Sequence, residues 1–248
     1  MHCYKLTIAY DGSDFNGWQI QPNGRSIQEL IENALKIITN NETIKIIGSG
    51  RTDAGVHAQG QTAHFKIDSQ INLSRTLFSL NGLLPPTIRI LKIEEVSLDF
   101  HARYSAIGKE YHYHLYPNSI LNPFLRLYTW HLKRKIDVNL LKEAARLFVG
   151  THDFTSFSNE SHRGSAAKNP VRTVYRIDVV ESEEGIRIEF EGNGFLYKMV
   201  RNIVGLLIEV AANKKEIHDI QTIFEARDRR KSSQTAPPQG LFLMRVIY

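Results

Sequence analysis

Alternation of apolar and polar positions predicts that the chain opens with a half-buried strand. The apolar positions of that alternation are Tyr4, Leu6, Ile8 and Tyr10. Ser26 then starts a predicted helix, because Glu29 follows three positions later, as in a capping box. Apolar residues recur along that helix at helical spacing, namely Ile27, Leu30, Ile31, Ala34, Leu35 and Ile38. A helix with such an apolar stripe must cover a sheet.

The rest of the first half continues to alternate strands and helices. The pattern predicts short strands at residues 44–48 and 63–67, a short helix that ends at Asn81 and Gly82, and a strand at residues 88–93. This order of elements is β-α-β-β-α-β, which is typical of a ferredoxin-like arrangement.

The second half resembles the first in its pattern of elements, although not visibly in its sequence. Its predicted elements are strands at 109–116 and 128–131, a helix at 137–148 stopped by Gly150, a hairpin of 173–180 and 186–191, helices at 196–208 and 217–226, and a strand at 241–247. The polar and basic segment 158–169 is predicted to be a long mobile loop. We therefore expect an α/β (α+β) protein with mainly antiparallel sheets in two ferredoxin-like, RRM-like halves, residues 1–104 and 105–248.

Composition and charge exclude several classes of protein. A chain of 248 residues with 42% hydrophobic content can bury a sizeable core, which excludes a disordered or fibrous chain. Its apolar stretches are far shorter than the roughly 20 residues of a membrane span, so we expect a soluble cytoplasmic protein with no membrane partner. The single cysteine, Cys3, excludes an internal disulfide and a multi-cysteine zinc site. A net charge of +5 suits an anionic partner but is weak evidence for one.

The segment 48–55 combines three glycines with Arg51 and Asp53, in a predicted loop between two strands. Glycines let the backbone approach a ligand closely, so the segment fits an active-site loop that presents a carboxylate and a guanidinium to one small volume. A tight turn with an aspartate cap and a surface arginine fits equally well, and spacing alone does not decide between them. A phosphate-binding P-loop is excluded, because the segment lacks the Gly-Lys-Ser/Thr ending and leads into a strand.

Residues 50–57, Gly-Arg-Thr-Asp-Ala-Gly-Val-His, resemble the signature loop of the tRNA pseudouridine synthase A (TruA) family. Other segments match that family in the same order along the chain, namely residues 10–12, 17–19, 100–103, 109–113, 153–157, 199–205 and 240–243. Because these matches extend from residue 10 to residue 243, the resemblance covers essentially the whole chain. It implies a pseudouridine synthase core, with the catalytic loop in the first half and a second half that completes the active-site cleft.

The resemblance also implies a reaction and a substrate. In this family a uridine of folded tRNA is detached at its glycosidic bond, rotated and rejoined to the ribose through carbon, at positions 38 to 40 of the anticodon arm. No net oxidation, hydrolysis or energy input occurs, so neither a cofactor nor a metal is expected. Family members act as homodimers, with the tRNA contacting both subunits. Tyr111, a residue of the predicted strand 109–116, matches the active-site tyrosine, and Tyr113 is left to the core.

Three charged residues complete the catalytic set that the resemblance implies. Asp53 matches the family nucleophile, and a covalent intermediate would divide one difficult isomerisation into easier steps. Attack at the ribose carbon is favoured, although attack on the pyrimidine ring and a glycal route stay open. Arg51 matches the arginine associated with flipping the target nucleotide. Arg201 matches the arginine that pairs with the catalytic carboxylate.

Basic and aromatic residues are expected to bind the tRNA, through phosphate contacts and recognition of shape. Besides Tyr111, the predicted substrate-binding residues are Phe100, His101, Arg103, Lys109, Arg126, Arg163 and Lys168. His57 and His64 are expected to be structural, since the reaction needs no imidazole.

Two other functions fit parts of the pattern. A non-catalytic RNA-binding module could share the ferredoxin-like frame, but the aromatic signature of RRM domains is absent from the predicted strands. A metal-dependent nuclease could use Asp53, His57 and His64 as ligands, and it would be recognised by its sensitivity to chelators.

Overall fold

The computed structural model describes residues 1–22, 24–159 and 169–248. The strands in this part of the chain are β1 (His2–Tyr10), β2 (Ile47–Gly48), β3 (His57–Ile67), β4 (Ile88–Val96), β5 (Gly108–Tyr116), β6 (Trp130–His131), β7 (Gly150–Asp153), β8 (Val171–Ser182), β9 (Gly185–Gly192) and β10 (Leu241–Ile247). The helices are α1 (Ile27–Thr39), α2 (Leu73–Leu83), α3 (Val138–Arg146), α4 (Met199–Ala211) and α5 (Asp219–Ala226). Arg163, Lys168 and most of the predicted mobile loop 158–169 lie outside the described residues.

The chain forms two compact units. The first comprises Met1–Ile107 and Phe242–Tyr248, and the second comprises Gly108–Leu241. The sequence analysis placed all of residues 105–248 in the second half. The closing residues instead belong to the first unit, because Phe242 and Leu243 of β10 pair in parallel with His57 and Ala58 of β3.

The first unit has the strand order that the sequence predicts for a ferredoxin-like half. β1 lies between β3 and β4, β2 pairs with the other side of β3, and all of these pairs are antiparallel. α1 begins as predicted, with the Ser26 hydroxyl accepting a hydrogen bond from the Glu29 N–H at 3.3 Å. β2 is shorter than predicted because the Ile46 N–H donates to the side chain of Glu32 on α1 instead of to a strand.

The second unit is also a mixed α/β structure with a mainly antiparallel sheet. Its strand order is β5-β9-β8-β7, with β6 pairing in parallel with β5. β7, β8 and β9 are therefore consecutive neighbours, an order that differs from that of the first unit. At the turn between β8 and β9, Gly185 has a φ of +126°, and a Cβ there would lie 2.2 Å from the Leu115 carbonyl oxygen. The close approach of this turn to β5 thus requires glycine.

α4 forms the centre of the second unit's core. The sequence predicts one apolar stripe, whereas in the structure Arg201 and Asn202 of its first turn are buried together with the apolar residues. α3 begins as predicted next to Asp137, whose carboxylate caps the helix by accepting from the Asn139 and Leu140 N–H groups. No helix in the described part of the chain combines the length and the apolar character needed to span a bilayer.

Candidate active site

The loop that carries Asp53 connects β2 and β3 in the first unit. Arg51 is exposed, Thr52 is buried and Asp53 is half-buried, so both charged side chains are accessible from solvent. A turn follows Asp53, because its carbonyl oxygen accepts a hydrogen bond from the Val56 N–H at 3.2 Å and Gly55 has a φ of +76°. This geometry separates Asp53 from the start of β3 and presents it at the tip of the loop.

Residues that follow β1 hold the backbone of this loop on both sides of Asp53. The Trp18 N–H donates to the Thr52 carbonyl oxygen at 3.1 Å, and the Gly55 N–H donates to the Phe15 carbonyl oxygen at 3.3 Å. The Tyr10 and Thr52 hydroxyls are hydrogen-bonded at 2.8 Å. The backbone on each side of Asp53 is therefore fixed by tertiary hydrogen bonds before any substrate binds.

Glycines in the segment that follows β1 allow its backbone to lie close to the backbone of the Asp53 loop. A Cβ at Gly17 would lie 2.4 Å from the Thr52 carbonyl oxygen, and one at Gly12 would lie 2.0 Å from the Val56 carbonyl oxygen. Gly17 also has a φ of +89°, which L side chains rarely adopt. Gly48 contacts the Trp18 indole, and a Cβ there would lie 2.5 Å from Nε1. Of the three glycines expected to let the loop approach a ligand, Gly48 thus faces a tryptophan.

Buried polar side chains on β1 and β3 complete the support, and they are not among the predicted site residues. Gln61 is fully buried, and its Nε2 donates to the Gly50 carbonyl oxygen at 2.9 Å. Burial raises the pKa of Tyr10, against the effect of its bond to Thr52 and a weaker one to Gln61. Its hydroxyl therefore stays protonated. Tyr10 is an alternating strand position in the matched segment 10–12, but neither its sequence position nor that of Gln61 indicates a bond to the loop.

His57 is buried at the start of β3, where it contacts the segment that follows β1. Its Nδ1 accepts a hydrogen bond from the Gly12 N–H at 3.1 Å and lies 3.2 Å from Asp11 Oδ1. Its ring stacks on Phe242, with 4.5 Å between the ring centroids. The structure thus gives His57 partners that suit a structural residue.

His64 supports a second feature, the turn at residues 100–104. Its Nδ1 accepts a hydrogen bond from the Ala102 N–H at 3.1 Å. Burial lowers the pKa of His64 to about 4, and the charges of His101 and Lys66 act in the same direction. A neutral His64 can act as this acceptor. Because Gln61 and His64 both lie on β3, one strand holds both the loop and the turn.

The turn at 100–104 presents one cation and one aromatic ring to solvent. His101 Nδ1 accepts from the N–H groups of Arg103 and Tyr104 at 3.1 and 3.2 Å, which fixes the direction of the chain. Phe100 is half-buried against Tyr248, with 5.0 Å between the ring centroids. Tyr104 is 78% exposed, and the Arg103 guanidinium lies 6.0 Å from its ring centroid. Phe100, His101 and Arg103 of this turn are predicted binding residues, whereas Tyr104 was not predicted to bind.

In the second unit, Tyr111 and Tyr113 share one face of β5 but differ in their surroundings. Tyr113 is fully buried, and its hydroxyl donates to the Pro237 carbonyl oxygen at 2.7 Å. Burial raises the pKa of Tyr113, and the charge of Arg201 opposes that effect. Tyr111 is 8% exposed and packs edge-on against Phe195, at 5.2 Å between the ring centroids.

Arg201 lies in the first turn of α4 and is 8% exposed. Its Nε donates to the Ala236 carbonyl oxygen at 2.8 Å, and its own carbonyl oxygen accepts from the Ala236 N–H at 3.1 Å. The segment that contains Ala236 packs closely on α4. A Cβ at Gly205 of this helix would lie 1.9 Å from the Gln234 carbonyl oxygen. The segment 234–236, which packs on α4, thus holds the Arg201 side chain in a defined position.

Two other predicted binding residues lie near the start of β5 and in the connection between β5 and β6. Lys109 is half-buried near the start of β5. Arg126 is exposed, and its Nη1 donates to the Pro123 carbonyl oxygen at 2.9 Å. Arg126 is therefore accessible to an anionic ligand.

Within the described residues, the one cluster with metal-ligand spacing is Glu110, His112 and Glu189, whose ligand atoms lie within 4.8 Å of one another. Glu189 already pairs with Arg176 at 3.0 Å and with Arg187 at 2.7 Å. His112 Nε2 lies 2.8 Å from Glu110 Oε1. Because two guanidinium groups neutralise the central carboxylate, the cluster is an ion-pair network on the sheet. It contains none of the residues of the nuclease hypothesis.

Comparison with known proteins gives a consistent result along the whole chain. A family model described as tRNA pseudouridine synthase matches residues 6–105 and 144–248. A relative named tRNA pseudouridine synthase A 1, from Protochlamydia amoebophila (strain UWE25), is 63% identical over 100% of this chain and 97% of the relative. Two relatives named tRNA pseudouridine synthase A are also similar. That of Latilactobacillus sakei is 42% identical over 99% of this chain and 98% of the relative, and that of Acetivibrio thermocellus is 43% identical over 100% of both.

Proposed function

Because this chain belongs to the tRNA pseudouridine synthase family, a family of isomerases, we propose that it isomerises uridine to pseudouridine in tRNA, with Asp53 as the nucleophile. The observation that carries the proposal is the fixed backbone on both sides of Asp53, whose carboxylate is half-exposed at the tip of the loop. The proposed target is the anticodon stem-loop, at positions 38 to 40, as the family resemblance implies.

A single positioned carboxylate is sufficient for this isomerisation. Attack of an Asp53 oxygen on the ribose carbon breaks the bond to the uracil nitrogen and leaves the base as an anion. After the base rotates, its C5 attacks the same ribose carbon and the carboxylate leaves. The released carboxylate takes the proton from C5 and returns a proton to the ring nitrogen, so the atoms of the uridine balance and Asp53 is regenerated. A nucleophile held in place reduces the entropy cost of the first step.

Arg51 is the proposed flipping residue. Extruding a nucleotide from its stack costs a few kcal/mol, and a group must fill the gap or hold the phosphate. Arg51 is exposed and lies two residues from Asp53, so its guanidinium reaches outward from the same loop. The resemblance further assigns to Tyr111 a stacking role on the flipped base and to Arg201 the role of ionic partner of the carboxylate, and we include both in the proposal.

Affinity for the RNA is proposed to come from the basic and aromatic surface residues. Arg103 and Arg126 are exposed, and Tyr104 adds an exposed ring beside Arg103. Phosphate contacts of this kind position an RNA without reading its sequence. A homodimer that acts in the cytoplasm, with the tRNA contacting both subunits, completes the proposal by family resemblance.

The decisive experiment compares Asp53→Asn with Asp68→Asn, an exposed aspartate of the same unit that serves as the control. Each variant is incubated with unmodified tRNA, and pseudouridine is mapped by carbodiimide-dependent stops in primer extension. Asp53→Asn should bind tRNA and form no detectable product, whereas Asp68→Asn should match the wild type. Product formation near the wild-type rate by Asp53→Asn would contradict the assignment. The same assay in excess EDTA separates this function from a metal-dependent nuclease, because turnover should continue.

A further inference from the structure

Arg229 lies in a one-turn helix, Arg229–Lys231, that follows α5 in the second unit. Its guanidinium contacts three side chains, all of which offer uncharged oxygens. Nε donates to Asn159 Oδ1 at 3.2 Å, and Nη2 donates to Asn202 Oδ1 at 2.9 Å and to Thr235 Oγ1 at 3.0 Å. Arg229 is thus held by neutral acceptors beside the first turn of α4.

The arginines on either side of Arg229 in sequence each pair with a carboxylate. Arg227 Nε lies 3.2 Å from an Asp153 carboxylate oxygen, and Arg230 forms a forked pair with Asp228. Both of these arginines are well exposed, at 70% and 89% of the side chain. Arg229 is half-buried, and within residues 1–22, 24–159 and 169–248 no carboxylate pairs with it. Burial accordingly lowers the pKa of its guanidinium.

The acceptors that hold Arg229 are themselves fixed. Asn202 is fully buried, and its Nδ2 donates to the Phe157 carbonyl oxygen at 2.7 Å and to Asn159 Oδ1 at 2.8 Å. The Thr235 hydroxyl donates to Asn202 Oδ1 at 2.6 Å. The Nε–H and the Nη2 donors of Arg229 are used in this network, while Nη1 makes no bond to the described residues. A guanidinium oriented in this way is prepared to bind an anion through its remaining donors.

The adjoining helix adds to the positive potential. Lys198 occupies the N-cap position of α4 with a φ of +60°, makes no side-chain cap bond, and no acidic residue lies in the first turn. The N-terminus of a helix carries a partial positive charge, so a cation beside it is unfavourable and an anion is favourable. Arg229 and the start of α4 therefore favour the same sign of ligand charge.

We propose that Arg229 binds a backbone phosphate of the RNA substrate. The inference rests on the proposed function for the identity of the ligand. A phosphodiester supplies a negative charge that the described residues do not offer to Arg229, and its oxygens accept the N–H donors that bond to none of those residues. Such a contact gives affinity and registers the RNA on the protein without reading a base.

The test measures equilibrium binding of an unmodified tRNA transcript at several KCl concentrations. The variants are Arg229→Gln and the matched control Arg230→Gln, two residues of the same short helix. Each phosphate contact contributes a slope of roughly 0.7 to 0.9 in the log–log dependence of affinity on salt, so Arg229→Gln should reduce the slope by about that amount. It should also weaken binding roughly tenfold or more at low salt, because a hydrogen bond to a charged group is lost. Arg230→Gln should keep both the slope and the affinity, since Asp228 already neutralises that charge in the wild type.

A wild-type slope in folded Arg229→Gln protein would overturn the inference. If Arg229→Gln does not fold, the wild-type protein is used instead. Its Arg229 is modified with phenylglyoxal, and mass spectrometry gives the rate of modification with and without tRNA. Slower modification of Arg229 at saturating tRNA supports the inference, and an unchanged rate overturns it. Pseudouridine mapped in the same samples separates the two proposals. Product formation with an Arg229-independent slope refutes this inference alone, whereas Arg229-dependent binding without product refutes only the proposed function.

Discussion

Replacement of Gly17 by alanine tests whether the N-terminal segment positions the nucleophile. The new Cβ would lie 2.4 Å from the Thr52 carbonyl oxygen, 3.0 Å from the Asp53 carbonyl carbon and 3.1 Å from the Ala54 nitrogen. All three are backbone atoms of the catalytic loop, so no side chain can rotate away to relieve the contact. Either the loop or the segment around Gly17 must move.

The size of the required movement follows from these distances. Ordinary van der Waals contact of a Cβ begins at 3.4 Å, so the separation from the Thr52 oxygen must grow by about 1 Å. A misplacement of about 1 Å in a positioned catalytic group can cost about 100-fold in rate. The φ of +89° adds a conformational strain of about 1 to 3 kcal/mol for an L residue. Gly17→Ala should therefore be less stable and much slower.

Alanine variants of two other glycines distinguish the effect of backbone strain from the effect of displacing the loop. Gly150 has a φ of +117°, but a Cβ there would meet only the end of the His152 side chain, at 3.2 Å. Gly82 lies in α2 with nothing within 4 Å of its Cβ position, so alanine there should be neutral or stabilise by up to about 1 kcal/mol. We expect Gly150→Ala to be less stable but to react at the normal rate. Gly82→Ala should keep both its stability and its rate, and Gly17→Ala should lose both.

The assay is single-turnover pseudouridine formation with enzyme in excess over tRNA, together with urea unfolding and filter binding of the same variants. Under these conditions the observed rate reports steps after docking. Gly17→Ala should retain tRNA affinity within a few-fold while the rate falls by about two orders of magnitude. A folded Gly17→Ala protein with the wild-type single-turnover rate would refute the claim that this segment positions Asp53.

Three smaller predictions follow from the same structure. Tyr10→Phe removes the hydrogen bond to Thr52 and should slow single turnover several-fold without changing tRNA affinity, whereas an unchanged rate would show that the bond does not position the loop. His64 has a pKa below that of an unfolded histidine, so the unfolded state binds more protons between pH 6.5 and about 4. The free energy of unfolding should therefore fall as the pH falls through that range, by at most about 1.4 kcal/mol per pH unit, and His64→Gln should flatten this dependence. Tyr111→Phe should bind tRNA but lose turnover, and if Tyr111→Leu is active while a folded Tyr113→Leu is inactive, the active-site tyrosine has been assigned to the wrong residue.

The sequence predicted most elements of the fold because their apolar residues alternate or recur at helical spacing. α1 with its Ser26 cap and β10 were located within a residue of their ends. β3 was predicted to start six residues too late, because residues 57–62 include buried polar side chains such as His57 and Gln61 that break the apolar pattern. β7 was missed, since its four residues, Gly-Thr-His-Asp, carry no apolar alternation. Elements held by polar tertiary bonds are thus the ones that periodicity overlooks.

In the candidate site, too, residues with a local sequence signal were predicted and residues that act through tertiary hydrogen bonds were not. Asp53 and Arg51 were recognisable, because a glycine-rich loop and a family signature coincide there. Gln61 carries no local signal, and the match at residues 10–12 does not reveal that Tyr10 supports the loop. The hydrogen bonds of both residues depend on strands that meet only after folding. Arg229 could not be distinguished in sequence from Arg230, because the difference between them is the presence of Asp228 as a partner of one and not the other.

The fixed position of the Asp53 backbone has an energetic consequence for the proposed reaction. A loop bonded on both sides does not need to reorganise, so the substrate has to move, and the uridine must leave its stack at a cost of a few kcal/mol. Favourable contacts elsewhere on the RNA have to offset that cost, and phosphate contacts are the largest available source. If the proposed phosphate contact of Arg229 forms only once the nucleotide has flipped, loss of Arg229 should lower the fraction of flipped complexes as well as the affinity. Its effect on single turnover should then persist at saturating enzyme, where a pure docking defect would disappear.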